Sequence, residues 1–248
     1  MDNSFILEIG DWKILVDPWL EGTEVDYFGW FNTQWHRTPP MPIEQVPDYD
    51  TVLITQKYPD HFHSETLKKL NPDHIIAPKS LNKKLGKILP GSKIDSLDSK
   101  KNQLSIHGCD VTFLPTSRKI DPIYDAFLID NGKESVLLAT HGIQLNEMHL
   151  EVLQKSSPCA LLITPFNHYQ LPVFLGGLVT PGLKGVKHLC DLVEPKKIIA
   201  VHDEDKHAKG LVTKFAKVTK PESEKSLLEK SWLNDRYLIV NHYDRIEI

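Results

Sequence analysis

The sequence predicts a mixed α/β fold in four layers, α-β-β-α, forming a single domain over residues 1–248. Three observations lead there. Predicted elements run β-rich, then α/β, then β-rich, then α/β, which makes two similar halves, each with a sheet toward the middle and helices outside. Short continuous apolar runs, such as TVLIT at 51–55 and ALLIT at 160–164, read as strands buried on both faces. No Gly/Ser/Pro-rich linker and no repeat of solenoid length interrupts the chain.

Residues 4–9 and 13–16 read as a hairpin with Gly10-Asp11 at its turn, and Asp17-Pro18-Trp19 ends the second strand. Residues 21–48 look irregular. They carry Tyr27, Phe28, Trp30, Phe31 and Trp35, which fit either a peripheral strap anchored by its aromatics or a wall facing substrate. After the strand at 51–55, Ser64 is placed to cap a helix carrying Leu67 and Leu70. A strand at 74–77 precedes a helix capped by Ser80, with Leu81, Leu85, Ile88 and Leu89 on one side.

From residue 93 to 140 strands dominate, at 103–106, 110–114, 126–129 and 135–139. Asn131-Gly132 between two apolar runs is a hairpin signal. Helices are then expected at 146–154, 183–192, 209–217 and 223–233. Strands are expected at 160–164, 197–202 and 237–240.

Composition narrows the functional classes. Lys plus Arg total 29 and Asp plus Glu total 33, a net charge of −4 that argues against a nucleic-acid partner. No apolar run approaches the roughly 18 residues of a membrane span, and the opening MDNSFILEIGD turns acidic too soon for a signal peptide. Cys109, Cys159 and Cys190 are too widely spaced for a disulfide framework or zinc ribbon and read as small buried hydrophobes. A cytoplasmic chain, or one in an organelle stroma, is expected, and the exposed-looking tryptophans are compatible with a homodimer.

The residues just past the strands suggest chemistry. Asp60, His61 and His63 come after TVLIT, His141 after SVLLAT, and His202 after KIIAV. Strand ends gather along one edge of stacked sheets, and imidazole and carboxylate are natural ligands for Zn²⁺, Fe or Mn²⁺. Each residue alone has a plainer reading. Asp60 could cap its turn, and His63 could belong to the start of the next helix. His168, after ALLITPFN, could line a pocket. Asp203, Glu204 and Asp205 read as solvated acids at a helix start, and the remaining histidines as hydrogen-bonded structural residues.

On these motifs the sequence resembles the metallo-β-lactamase fold superfamily, in particular its lactonase-like and phospholipase-D-like branch and an uncharacterised plant and cyanobacterial group. FILEIGDWKILVDPWL resembles that branch's first hairpin and LITQKYPDHFHSETL its metal motif. LLITPFNHYQLP and EPKKIIAVHDED resemble its later segments. The family motif is H-x-H-x-D-H. Here Gln56 and Tyr58 stand at the first two histidine positions, while Asp60 and His61 keep the last two. No histidine stands near Thr116-Ser117, His141 replaces the bridging Asp, and His202 keeps the final position.

The resemblance implies one divalent ion, Zn²⁺ first with Mn²⁺ or Fe as alternatives, held by Asp60, His61, His141 and His202. It also implies hydrolysis of a small-molecule ester, lactone or phosphoester, with Asp60 as the catalytic carboxylate. His63, Tyr58 and His168 are further candidates. Tyr58 would act near a substrate oxygen or fill the volume of the missing histidine, and Asp17 would support a metal-binding histidine from behind. The rival expectation is a non-catalytic binding or scaffold protein with a structural ion or none.

Overall fold

A computed structural model describes residues 3–117, 123–203, 206–221 and 223–248. The chain divides into two compact units, one of Asn3–Asn102 with Asp205–Phe215, the other of Gln103–Glu204 with Ala216–Ile248.

The first unit is built on a five-stranded sheet of Phe5–Ile9, Trp12–Val16, Thr51–Leu53, His74–Pro78 and Lys93–Leu97, side by side in that order. The first pair is an antiparallel hairpin and the other pairings are parallel. Gly10 takes φ +59° at the hairpin turn, as a tight two-residue connection requires. Helices Ser64–Leu70 and Asn82–Ile88 cover one face. Leu67 and Leu85, with Leu81 and Leu89 beside the second helix, meet Leu15, Val52, Ile54, Ile75 and Ala77. Each such side chain removed from water contributes about 1.5–3 kcal/mol, which ties the helices to the sheet.

Two expectations change here. The first helix is capped by His63 rather than Ser64: its Nδ1 accepts from the Thr66 backbone N at 3.3 Å. Ser80 does not cap the second helix, because residues Lys79–Leu81 already form a 3₁₀ turn. The segment 21–48 is not irregular throughout. Glu24–Asp26 and Asn32–His36 form a hairpin, extended by Lys206–Lys209 into a three-stranded sheet. Tyr27, Phe28 and Trp30 at its turn are 60–69% exposed, so these aromatics do not anchor a strap. Trp35 does make a contact, stacking on His207 with ring centroids 5.6 Å apart.

The second unit carries a seven-stranded sheet in the order Gln103–Ile106, Cys109–Leu114, Ala126–Asp130, Ser135–Leu138, Cys159–Thr164, Lys197–Ala200 and Tyr237–Leu238. The first four strands run antiparallel and the rest pair in parallel. The Asn131-Gly132 turn forms as expected, with the Asn131 side chain accepting from the Lys133 and Glu134 backbone N–H groups. Helices Glu147–Lys155, Leu183–Val193 and Glu224–Leu228 bring Leu153, Val186, Leu189, Cys190 and Leu227 onto Leu128, Leu137, Leu162 and Ile198. A small sheet places His168–Gln170 between Leu178–Pro181 and Lys217–Thr219.

The helix expected over 209–217 is shorter, Leu211–Phe215, and strands flank it. All three cysteines are buried and unpaired, as their spacing predicts. Burial pushes the Cys159 thiol up to about 12 and Cys190 to about 11, so both stay neutral. Among the described residues, no helix is long and apolar enough to cross a membrane.

Candidate metal site

Local structure after Trp12–Val16 presents Asp17. Its backbone is left-handed, φ 42°, which costs an L-residue about 1–2 kcal/mol. The turn is clamped: the Ser4 hydroxyl donates to Asp17 O and accepts from Trp19 N, both at 2.9 Å, and Asp17 N donates to Leu53 O at 2.9 Å. The carboxylate thereby lies under the end of the next strand. It accepts from Thr55 N at 2.7 Å and from the Thr55 hydroxyl at 2.5 Å.

The same carboxylate receives His61 Nδ1–H at 2.6 Å, so Asp17 supports a candidate ligand from behind, as expected. With Nδ1 committed, Nε2 is the nitrogen left for coordination. It lies 3.3 Å from Asn3 Nδ2 and 3.7 Å from Asp60 Oδ2. Burial opposes charge on His61, but the Asp60 and Asp17 carboxylates outweigh it and hold its pKa above the ordinary value. Burial likewise raises the Asp17 carboxyl against the pull of His61 and Thr55.

Asp60 and His61 sit on a tight turn in which the Tyr58 carbonyl accepts from His61 N at 3.0 Å and from Phe62 N at 2.7 Å. Both side chains are buried. The Lys206 ammonium lies 3.7 Å from Asp60 Oδ2 and 4.8 Å from the centroid of the Trp19 ring. Sequence reasoning does not single out Lys206. It lies four residues past His202, in the hydrophilic run DEDKHAKG, and nothing in that run marks it as buried.

His63 is turned to structural use. Its Nδ1 caps the helix and receives the Thr66 hydroxyl at 2.9 Å, and its ring also hydrogen-bonds the Thr23 backbone. Burial lowers its pKa, which suits a neutral cap. The Tyr58 ring lies under the Lys57 ammonium, 5.2 Å from its centroid. Its hydroxyl is buried with no hydrogen-bond partner among the described residues.

The second unit presents the other two histidines at strand ends. His141 follows Ser135–Leu138 in a turn closed by Gly142 N donating to Ala139 O at 2.7 Å. Gly142 has φ +83°, and a Cβ there would stand 2.9 Å from Pro181, so the turn requires glycine. His202 follows Lys197–Ala200 with φ 61°, a second left-handed residue at a strand end. The next residue fixes it. The Asp203 carboxylate accepts from Phe166 N at 3.0 Å and Asn167 N at 2.9 Å. Asp203 is thus not a solvated acid, and burial raises its pKa against those two hydrogen bonds. Glu204 and Asp205 lie outside the described residues.

The His141 and His202 rings meet edge to face, with centroids 4.6 Å apart. His168 is half-buried on its strand, with Nδ1 3.5 Å from Pro181 O. Asp60 and His61 in the first unit, and His141 and His202 in the second, offer carboxylate and imidazole donors of the kinds that suit a divalent cation.

The sequence profile described as a β-lactamase superfamily domain matches residues 1–202. No curated protein matches the sequence. Among solved structures, a possible metal-dependent hydrolase from Veillonella parvula is 15% identical, with TM-score 0.71 over 98% of this chain and 95% of its own. An isothiocyanate hydrolase from Delia radicum gut bacteria is 16% identical, with TM-score 0.69 over 100% of this chain and 96% of its own. CmlA, a diiron β-hydroxylase from Streptomyces venezuelae, is 18% identical with TM-score 0.59 over 80% of this chain. This chain spans only 43% of that hydroxylase. At these identities the likeness is one of fold.

Proposed function

Because the chain belongs to the β-lactamase superfamily, we propose that it is a metal-dependent hydrolase of a small ester, lactone or phosphoester. Residues 1–248 act as one functional domain in this reading. Asp60 and His61 would hold one divalent ion together with His141 and His202, Zn²⁺ first, with Mn²⁺ or Fe as alternatives. The observation that carries the reading is His61: its Nδ1 is locked on Asp17 at 2.6 Å, which leaves Nε2 as the coordinating atom beside the Asp60 carboxylate. The substrate range follows the lactonase-like and phospholipase-D-like branch that the motifs resemble.

A divalent ion bound there supplies a Lewis acid and makes water a readier nucleophile near neutral pH. The chain's residues supply the rest. Asp17 and Thr55 hold His61 in one orientation, so the ligand loses little entropy on binding. With such an ion in place, the Asp60 carboxylate would be the group of this chain placed to accept a hydrogen bond from a water and to take up its proton. The left-handed backbone of His202 fixes the strand end from which its own ring projects, while that of Asp17, past the strand Trp12–Val16, aims the carboxylate that supports His61.

The test is turnover. Purified protein loaded with Zn²⁺, Mn²⁺ or Fe²⁺ is assayed against small lactones, aryl esters, phosphodiesters and an isothiocyanate, beside His202→Ala. The expected result is metal-dependent hydrolysis of at least one class, abolished by chelation and reduced at least 100-fold in the variant. Metal uptake with no turnover on any class would contradict the enzymatic reading and favour a binding protein on this fold.

A further inference from the structure

Lys206 stands on the strand Lys206–Lys209, in the same unit as Asp60, His61 and Trp19. Its side chain is 8% exposed and that of Asp60 11%. An ammonium so removed from water keeps its charge only beside compensating groups, and two are present. The Asp60 Oδ2 lies 3.7 Å from Nζ, and the Trp19 ring face lies 4.8 Å away. Trp19 is itself fixed. Its ring nitrogen donates to Glu21 O at 3.0 Å, and its ring packs on His36 with centroids 3.9 Å apart. The ammonium is therefore held in place by a rigid platform and not by a mobile surface chain.

Asp60 Oδ2 thus has two nitrogen neighbours, each at 3.7 Å: the Lys206 ammonium and His61 Nε2, the atom left to hold an ion. We propose that Lys206 is a resident cation that competes with the divalent ion for Asp60, and so sets how tightly the site holds metal. The inference rests on Asp60 and His61 being ligands. Without metal, the ammonium neutralises a buried carboxylate and stabilises the fold. With metal on Asp60, two positive centres share one carboxylate in poorly hydrated surroundings, and their repulsion weakens binding. The one side chain therefore acts with opposite signs in the metal-free and metal-loaded protein. A purely structural lysine would act with the same sign in both.

The test uses Lys206→Gln, which removes the charge, and Lys206→Arg, which keeps it. Zn²⁺ affinity is measured on the full chain by competition with a chromophoric chelator, and thermal melts are recorded with and without Zn²⁺. Lys206→Gln is expected to bind Zn²⁺ at least tenfold more tightly and to melt below the parent protein when metal-free. Its rise in Tm on adding Zn²⁺ should exceed the parent's. Lys206→Arg is expected to stay within about threefold of the parent affinity. Unchanged or weaker binding by a folded Lys206→Gln would overturn the inference while leaving the metal site standing. If Lys206→Gln fails to fold, an affinity for Lys206→Arg that departs more than tenfold from the parent's overturns it. Failure of the parent and both variants to take up metal would overturn both readings.

Discussion

Three donors converge on the Asp17 carboxylate, and one of them is His61. Asp17→Asn tests that support with little disturbance of the backbone, since Asn tolerates the left-handed φ that position 17 adopts. The substitution removes the negative charge behind the ring and offers Nδ1 an amide, which no longer fixes the tautomer that frees Nε2. Metal affinity is expected to fall by about 10–100-fold, read by chelator competition, with the far-ultraviolet spectrum unchanged. At this scale much of the site is legible in the sequence. Asp60, His61, His141 and His202 each follow an apolar strand run, and Asp17 ends one. Lys206 is not legible, because its burial comes from packing on Trp19 and not from any local pattern. Asp203 escapes a local reading for the same reason: two backbone N–H groups more than 30 residues away make its place.

Among the elements, the strands within apolar runs are legible and the short polar ones are not. TVLIT and ALLIT bury both faces, so their runs are continuous and apolar. Glu24–Asp26, His168–Gln170 and Lys217–Thr219 have three residues each and polar compositions, too few for a period to register. Lys206–Lys209 reads as the approach to a helix because Lys and Ala favour helices, but pairing with Asn32–His36 overrides that preference. The end of that strand also explains Gly210. It has φ +122°, and a Cβ there would stand 2.5 Å from the Phe31 carbonyl oxygen, where Val212 N donates at 3.0 Å. Gly210→Ala is expected to destabilise the protein by about 1–3 kcal/mol, seen as a lower urea midpoint with an unchanged slope. An unaltered midpoint would mean that the segment carrying Lys206 docks less closely than the structure places it.

For the whole molecule, the α/β class is legible from the alternation of strand-rich and α/β stretches, and it is the metallo-β-lactamase fold class. Substrate identity is not legible, because this fold hosts many chemistries and the reacting groups are few and short-range. Gln56 and Tyr58 stand where the motif that the sequence resembles has histidines, and in the proposed reading this limits how many ions the chain can hold. Gln56 is fully buried, and neither it nor Tyr58 offers the imidazole that a first metal site would draw on. One ion per chain is therefore the central claim, and elemental mass spectrometry of tag-free protein after Zn²⁺ loading and desalting tests it most directly, beside His141→Ala and His202→Ala. The expected result is one metal per chain in the parent protein, lost in both variants. Two metals per chain, or none after loading with Zn²⁺, Mn²⁺ or Fe²⁺, would contradict it.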